Sequence, residues 1–270
     1  MTATHEPVLL EETQGHVRIL TLNRPAKKNA LSDELVGAIV AGFASAAADE
    51  AVRVVGITGA GDAFCSGADL APRSPRPNRP RGGSPRRSDT AEQAVRLVTG
   101  IRVECEKPVV AGIDGIAIGA GLSLALCADM RIASAKARVH PGYARAGTSP
   151  DCGLSWTLPA AIGHEQAMRF LLEPKMHGAE EALALGLVGE VVPEAAFEEA
   201  FLGYCHKIAE VAPLASSQTK RLVTQAGLLA DLEQHLRDEL ELARRALSSE
   251  DGREAVKAIF EKRKPEFTGR

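Results

Sequence analysis

Residues 107–134, KPVVAGIDGIAIGAGLSLALCADMRIAS, decide how the fold is read. An extended apolar run, KPVVAGIDG, gives way to small residues, then to an apolar helical segment, and ADMRIAS is extended again. Small residues at a strand-to-helix junction let a ligand atom approach backbone amides, and the helix N-terminus adds the positive end of its dipole. Close packing of helix on strand is the plainer explanation of one such junction. Upstream, VVGITGAGDAFCSGADL (54–70) repeats the design. Neither stretch carries GxGxxG or GxxxxGK[ST], so neither is a nucleotide signature. Two such junctions can together supply a pair of convergent N–H donors, an oxyanion hole.

Around this pair, extended and helical segments alternate: VRILTL (17–22), NALSDELVGAIVAGFASAAAD (29–49), then VRVVGIT (52–58). That alternation predicts an α/β fold. Ser32 and the stripe Leu35, Ile39, Val40 and Phe43 give the first helix an N-cap and a buried face. After Pro193 the alternation stops, and AAFEEAFLGYCHKIAEVAP, LASSQTKRLVTQAGL, DLEQHLRDELELARRALSS and EDGREAVKAIFEKRKPEF read as consecutive amphipathic helices. The expected organisation is an α/β core over 1–195 and a helical segment over 196–270.

The 270 residues are 45% hydrophobic and 25% charged, enough for a sizeable core. A net charge of −3 and an aromatic content of 4% give no footing for nucleic-acid binding. Cys65, Cys105, Cys127, Cys152 and Cys205 are scattered, with no CxxC pair or metal-ligand spacing, and read as reduced thiols of a cytoplasmic protein. MTATHEPVLLEETQG lacks the features of a signal peptide, and no run is long and apolar enough to suggest a membrane span. PRSPRPNRPRGGSPRR (72–87), with six arginines and five prolines, is expected to form a surface loop or a basic flap facing the phosphates of an anionic ligand.

Five stretches, LNRPAKKNALS (22–32), AFCSGADL (63–70), KPVVAGIDGIAIGAGLSLALCADMRIAS (107–134), GTSPDCGLSWTLPAAIG (147–163) and AEEALALGLVGEVVP (179–193), resemble the crotonase (enoyl-CoA hydratase/isomerase) superfamily in the family's order. The resemblance implies a spiral of repeated ββα units, a C-terminal helical trimerisation segment, and a homotrimer or dimer of trimers. It implies an acyl-CoA thioester as substrate, coenzyme A being part of that substrate and not a separate cofactor. By similarity the amides of Ala68 and Ala120 would grip the thioester oxygen, and the segment holding Arg24, Lys27, Ala30 and Leu31 would border the CoA adenine. Ser66, Asp69, Leu70 and Gly119 at the junctions join the implied substrate-binding set, as do Phe260 and Lys262, in a tail that in relatives can close over CoA.

In hydratases of this superfamily two glutamates hold a water. Here the corresponding positions are Ser123 and Tyr143, neither of which is a carboxylate base. Taken singly, Ser123 reads as a small helix residue admitting ligand and Tyr143 as a pocket wall with a polar tip. Asp151, in GTSPDCG, could serve only a turn, yet it falls where dienoyl-CoA isomerases, epoxyphenylacetyl-CoA isomerase-like enzymes and chlorobenzoyl-CoA dehalogenases carry an aspartate. One carboxylate facing an oxyanion hole suffices to move a proton, and ketosteroid isomerase runs on those parts. The resemblance thus favours isomerase-type proton relocation with Asp151 as acid/base. Hydration, nucleophilic attack by Asp151, and acyl-CoA binding without catalysis are the alternatives. His140 is a second acid/base candidate or a structural histidine. Cys65 and Cys152 lack activating partners, and Asp69, Asp114 and Asp129 read as carboxylates bonded to backbone amides.

Overall fold

A computed structural model describes residues 6–70, 89–225, 232–263 and 265–266. The arginine-rich stretch 72–87 lies outside the described residues. The chain opens with an antiparallel pair, β1 (Leu9–Gln14) and β2 (Val17–Leu22), followed by α1 (Asp33–Ala48). Ser32 caps α1, its Oγ accepting from the Leu35 N–H at 3.2 Å. Leu35, Ile39 and Phe43 bury that helix's inner face, and Val40 packs at its margin.

A strand–strand–helix unit then recurs as β3 (Val54–Gly59), β4 (Ala63–Cys65) and α2 (Asp89–Thr99); β5 (Val109–Ile113), β6 (Ile116–Ile118) and α3 (Ala120–Cys127); and β7 (Met130–Ser134), β8 (Arg138–His140) and α4 (Leu154–Ile162). In each unit the first strand joins one sheet and the second strand joins another. The larger sheet runs β1-β2-β3-β5-β7-β10, with β10 spanning Glu190–Val192, and is parallel from β2 onward. The smaller runs β4-β6-β8-β9, with β9 at His177–Gly178 antiparallel to β8. Strands such as VVAGI are buried along their whole length, as parallel strands covered on both faces must be. This is the expected spiral of ββα units.

Helices α5 (His164–Leu172) and α6 (Ala179–Leu185) precede four more: α7 (Phe197–Ala209), α8 (Pro213–Gln225), α9 (Leu232–Ser248) and α10 (Glu250–Phe260). The expected boundary at 195/196 falls just ahead of α7, and α7 packs on the larger sheet. Phe197, Phe201 and Cys205 share a core cluster with Val17, Val54, Val110 and Ile132. The Phe201 ring lies so close to Gly112 that a Cβ there would sit 2.8 Å from it. Farther along, Leu232 and Leu236 of α9 join the main core, and Ala255 of α10 packs against Gly147. The C-terminal helices thus cover the loop that carries Asp151. Among the described residues no helix is long and apolar enough to cross a membrane.

Candidate active site

Because β4, β6 and β8 are adjacent and parallel, the turns that leave their C-terminal ends lie side by side, where an open α/β sheet forms its crevice. The turns touch. The Gly119 N–H donates to the His140 carbonyl at 3.1 Å. A Cβ on Gly67 would stand 2.8 Å from the Ile118 carbonyl oxygen and 3.7 Å from the Ala120 nitrogen, and Gly67 has φ +101. A Cβ on Gly121 would stand 2.3 Å from the Cys65 carbonyl oxygen. Only glycines allow the approach that brings the backbone at Ala68 beside that at Ala120.

The bonds that hold Ala68 in place leave its own N–H out. Leu31 N–H donates to the Gly67 carbonyl at 2.8 Å and Asp69 N–H to the Leu31 carbonyl at 3.0 Å. Ala120 is the first residue of α3, capped by Gly119, so its N–H is one of the helix's four without an intrahelical acceptor. Two amides on neighbouring turns, one at a helix N-terminus, form an arrangement suited to a developing oxyanion.

Ser123, Tyr143 and Asp151 come together beside this pair. The Tyr143 hydroxyl donates to Oδ1 of Asp151 at 2.8 Å and lies 2.8 Å from Oγ of Ser123. Ser123 Oγ is also 3.2 Å from the Gly119 carbonyl, which accepts the Ser123 N–H at 3.0 Å. That carbonyl belongs to the same peptide unit as the Ala120 N–H. Ser123 is fully buried and Tyr143 nearly so. Tyr143 lines a cavity, as expected of a pocket wall, and with Ser123 it also forms a hydrogen-bonded chain that ends on the Asp151 carboxylate.

Burial is the largest influence on Asp151 and raises its titration above its ordinary value, while hydrogen bonds from Tyr143 and Cys152 pull it partway back. Burial likewise pushes the Tyr143 phenol well above its ordinary value, with the Asp151 charge adding to the effect, so the phenol stays a proton donor. A carboxylate whose titration is raised is a stronger base when ionised, which suits general-base work.

The segment 24–31 is zipped to 63–70. Ser66 N–H donates to the Lys28 carbonyl at 2.9 Å and Ser66 Oγ to the Lys27 carbonyl at 3.3 Å. Arg24 bonds the Ala30 carbonyl through Nη1 and pairs with Asp69 at 2.8 Å. The Arg24 guanidinium is thus committed inside the protein, with Asp69 as its ion-pair partner. Asp114 likewise pairs with Lys136 at 3.0 Å, whereas Asp129 does accept a backbone N–H, from Val109 at 2.8 Å, besides pairing with the buried Lys220 at 3.1 Å. Lys27 and Leu70 are exposed; Ala30 and Leu31 are buried.

Asn29 is a residue that sequence reading passed over. Fully buried at φ 55, it accepts from the Arg24 N–H at 2.9 Å and donates to the carbonyls of Ala60 at 2.9 Å and Ala63 at 2.7 Å. The only signal available was that asparagine tolerates the left-handed region. Asn29→Ala strips partners from three backbone groups, and chemical denaturation is expected to show a loss of about 3 kcal/mol.

The Nδ1 of His140 accepts from the Gly142 N–H at 2.8 Å, which puts the ring proton on Nε2. Burial, with help from Arg145 and His177, lowers its titration below the ordinary histidine value. His140 is therefore held neutral and braces the turn. The Cys65 thiol is pushed up to about 12 by burial, which removes it as a thiolate nucleophile. The structure does not bring Phe260 or Lys262 into this cluster: Phe260 is 63% exposed at the last residue of α10, and Lys262 follows it in a left-handed turn.

The model of the enoyl-CoA hydratase/isomerase family matches residues 12–270. The chain belongs to that family. A probable enoyl-CoA hydratase of Rhodobacter capsulatus is 34% identical, with 99% of this chain and 100% of that protein covered. The 1,2-epoxyphenylacetyl-CoA isomerase of Escherichia coli is 30% identical, with 97% and 98% covered. A crystal structure of an enoyl-CoA hydratase/isomerase from Pseudoalteromonas atlantica superposes with a TM-score of 0.84 at 32% identity, covering 97% of this chain and 100% of that one. The protein is thus a crotonase-fold acyl-CoA enzyme of the hydratase/isomerase family, in which hydratases and isomerases share one scaffold.

Proposed function

We propose that this enoyl-CoA hydratase/isomerase family member relocates a proton, and with it a double bond, on an unsaturated acyl-CoA thioester. The amides of Ala68 and Ala120 hold the thioester oxygen as it becomes an enolate, and Asp151 is the acid/base. The carboxylate takes a proton from the α- or γ-carbon, the C–H electron pair delocalises onto the held oxygen, and the carboxylic acid returns the proton to another carbon. The observation that carries this reading is the half-buried Asp151 carboxylate, bonded to Tyr143, which meets Ser123, whose backbone N–H bonds the peptide bearing the Ala120 N–H. Amides fixed before the reaction cost little reorganisation when the charge develops.

Hydration is the second reading, because a desolvated Asp151 could activate a water alone and because hydratases stand among the relatives. Ser123 and Tyr143 weigh against it: neither is a carboxylate, so a two-carboxylate grip on water is missing. Incubating the enzyme separately with a trans-2-enoyl-CoA and a 3-enoyl-CoA decides between the two. Double-bond migration outpacing 3-hydroxyacyl-CoA formation supports isomerisation, and the reverse order supports hydration. We further propose a trimer or dimer of trimers, for which a mass measurement in solution is the test.

A further inference from the structure

We propose that Tyr143, braced by Ser123, is a positioning residue that pins one oxygen of Asp151 and joins the base and the oxyanion-binding peptide into a single hydrogen-bonded unit. The inference rests on Asp151 being the acid/base. Two hydroxyl protons have to be distributed. With Asp151 ionised, its Oδ1 can only accept, so the Tyr143 proton points to it at 2.8 Å. The Tyr143 oxygen is then free to accept from Ser123, also at 2.8 Å.

Ser123 has two alternative acceptors, the carbonyls of Gly119 and Asp151, each at 3.2 Å. Both are backbone groups without a transferable proton, and Ser123 is fully buried. The chain therefore ends inside the protein and holds the carboxylate instead of conducting protons to solvent. The phenol thus fixes the orientation in which the carboxylate exchanges a proton with substrate. The Gly119 carbonyl meanwhile accepts the backbone N–H of Ser123 at 3.0 Å, so Ser123 ties the phenol to the peptide that carries the Ala120 N–H.

Among the described residues, the groups that set the titration of Asp151 are Tyr143 from the loop after β8 and Cys152 beside it, with Cys127 at the end of α3 directing its thiol to the Cys152 carbonyl. Losing the phenolic donor removes one of the two side-chain hydrogen bonds that favour the ionised carboxylate.

The test measures kcat and KM against pH for Tyr143→Phe, Ser123→Ala and the double variant. In Tyr143→Phe the acid limb of kcat is expected to move up by about one pH unit, a roughly tenfold loss on the limb, with KM changed less than about twofold. Ser123→Ala is expected to move the limb the same way by less. The double variant is expected to match Tyr143→Phe, because Ser123 acts through the phenol. An unmoved limb in both single variants, or a double variant showing the sum of the two shifts, would overturn the proposal. If Tyr143→Phe does not fold, Ser123→Ala decides alone, and an unmoved limb overturns it. Asp151→Asn in the same assay separates the two levels of inference: retained turnover in that variant removes the acid/base assignment, whereas lost turnover together with unmoved limbs removes only the role of Tyr143.

Discussion

Asp151→Asn is expected to lower turnover of an unsaturated acyl-CoA by roughly 10²–10⁴-fold, the usual contribution of a positioned acid/base. The substitution keeps the side chain's size and still offers Tyr143 an acceptor, so the hydrogen-bonded chain of Ser123 and Tyr143 survives while basicity is removed. Substrate binding is expected to change little, and calorimetry with a CoA thioester measures it. The same variant is expected to melt at a higher temperature than the parent at neutral pH. Burial raises the titration of Asp151 in the folded state above its unfolded value, so the folded protein binds the proton more tightly. Stability from this group is present at low pH and is lost as pH rises through the folded-state value. Asparagine carries no such loss, and the melting-temperature difference is expected to vanish in acid.

Ala120→Pro is expected to cost about 10²–10³-fold in kcat, the typical loss of one oxyanion donor. Proline is well tolerated at the first position of a helix, which Ala120 occupies in α3. Gly119 in front of it has φ 53 and ψ −124, the mirror image of a conformation that ordinary residues adopt before proline. The backbone can therefore accept the ring while the N–H is lost, and an unchanged circular-dichroism spectrum is the expected control. Activity close to the parent would show that this amide does not carry the developing charge.

The parts of the site built from local pattern were legible in the sequence. Extended runs ending in small residues mark the junctions after β4 and β6, and the helical periodicity beyond residue 196 marks α7 to α10. The association of α7 with the larger sheet was not legible, because it depends on Gly56 and Gly112 leaving room for Phe201, a contact across many residues. The pairing of Arg24 with Asp69 and the three bonds of Asn29 depend in the same way on two distant loops meeting. Taken singly, Ser123 and Tyr143 look inert. A serine is a poor base and a tyrosine near pH 10 is another, but the pairing of β6 with β8 sets α3 beside the loop holding both Tyr143 and Asp151. What the sequence offered as substitutions for missing carboxylates is, in three dimensions, the support of the one carboxylate that remains.

The most direct test of proton relocation is magnetic resonance of an unsaturated acyl-CoA held with enzyme in deuterated water. The parent protein is expected to place deuterium at the α- or γ-carbon, and Asp151→Asn to leave those positions protonated over the same period. Full incorporation by Asp151→Asn would contradict the assignment of Asp151 as the base.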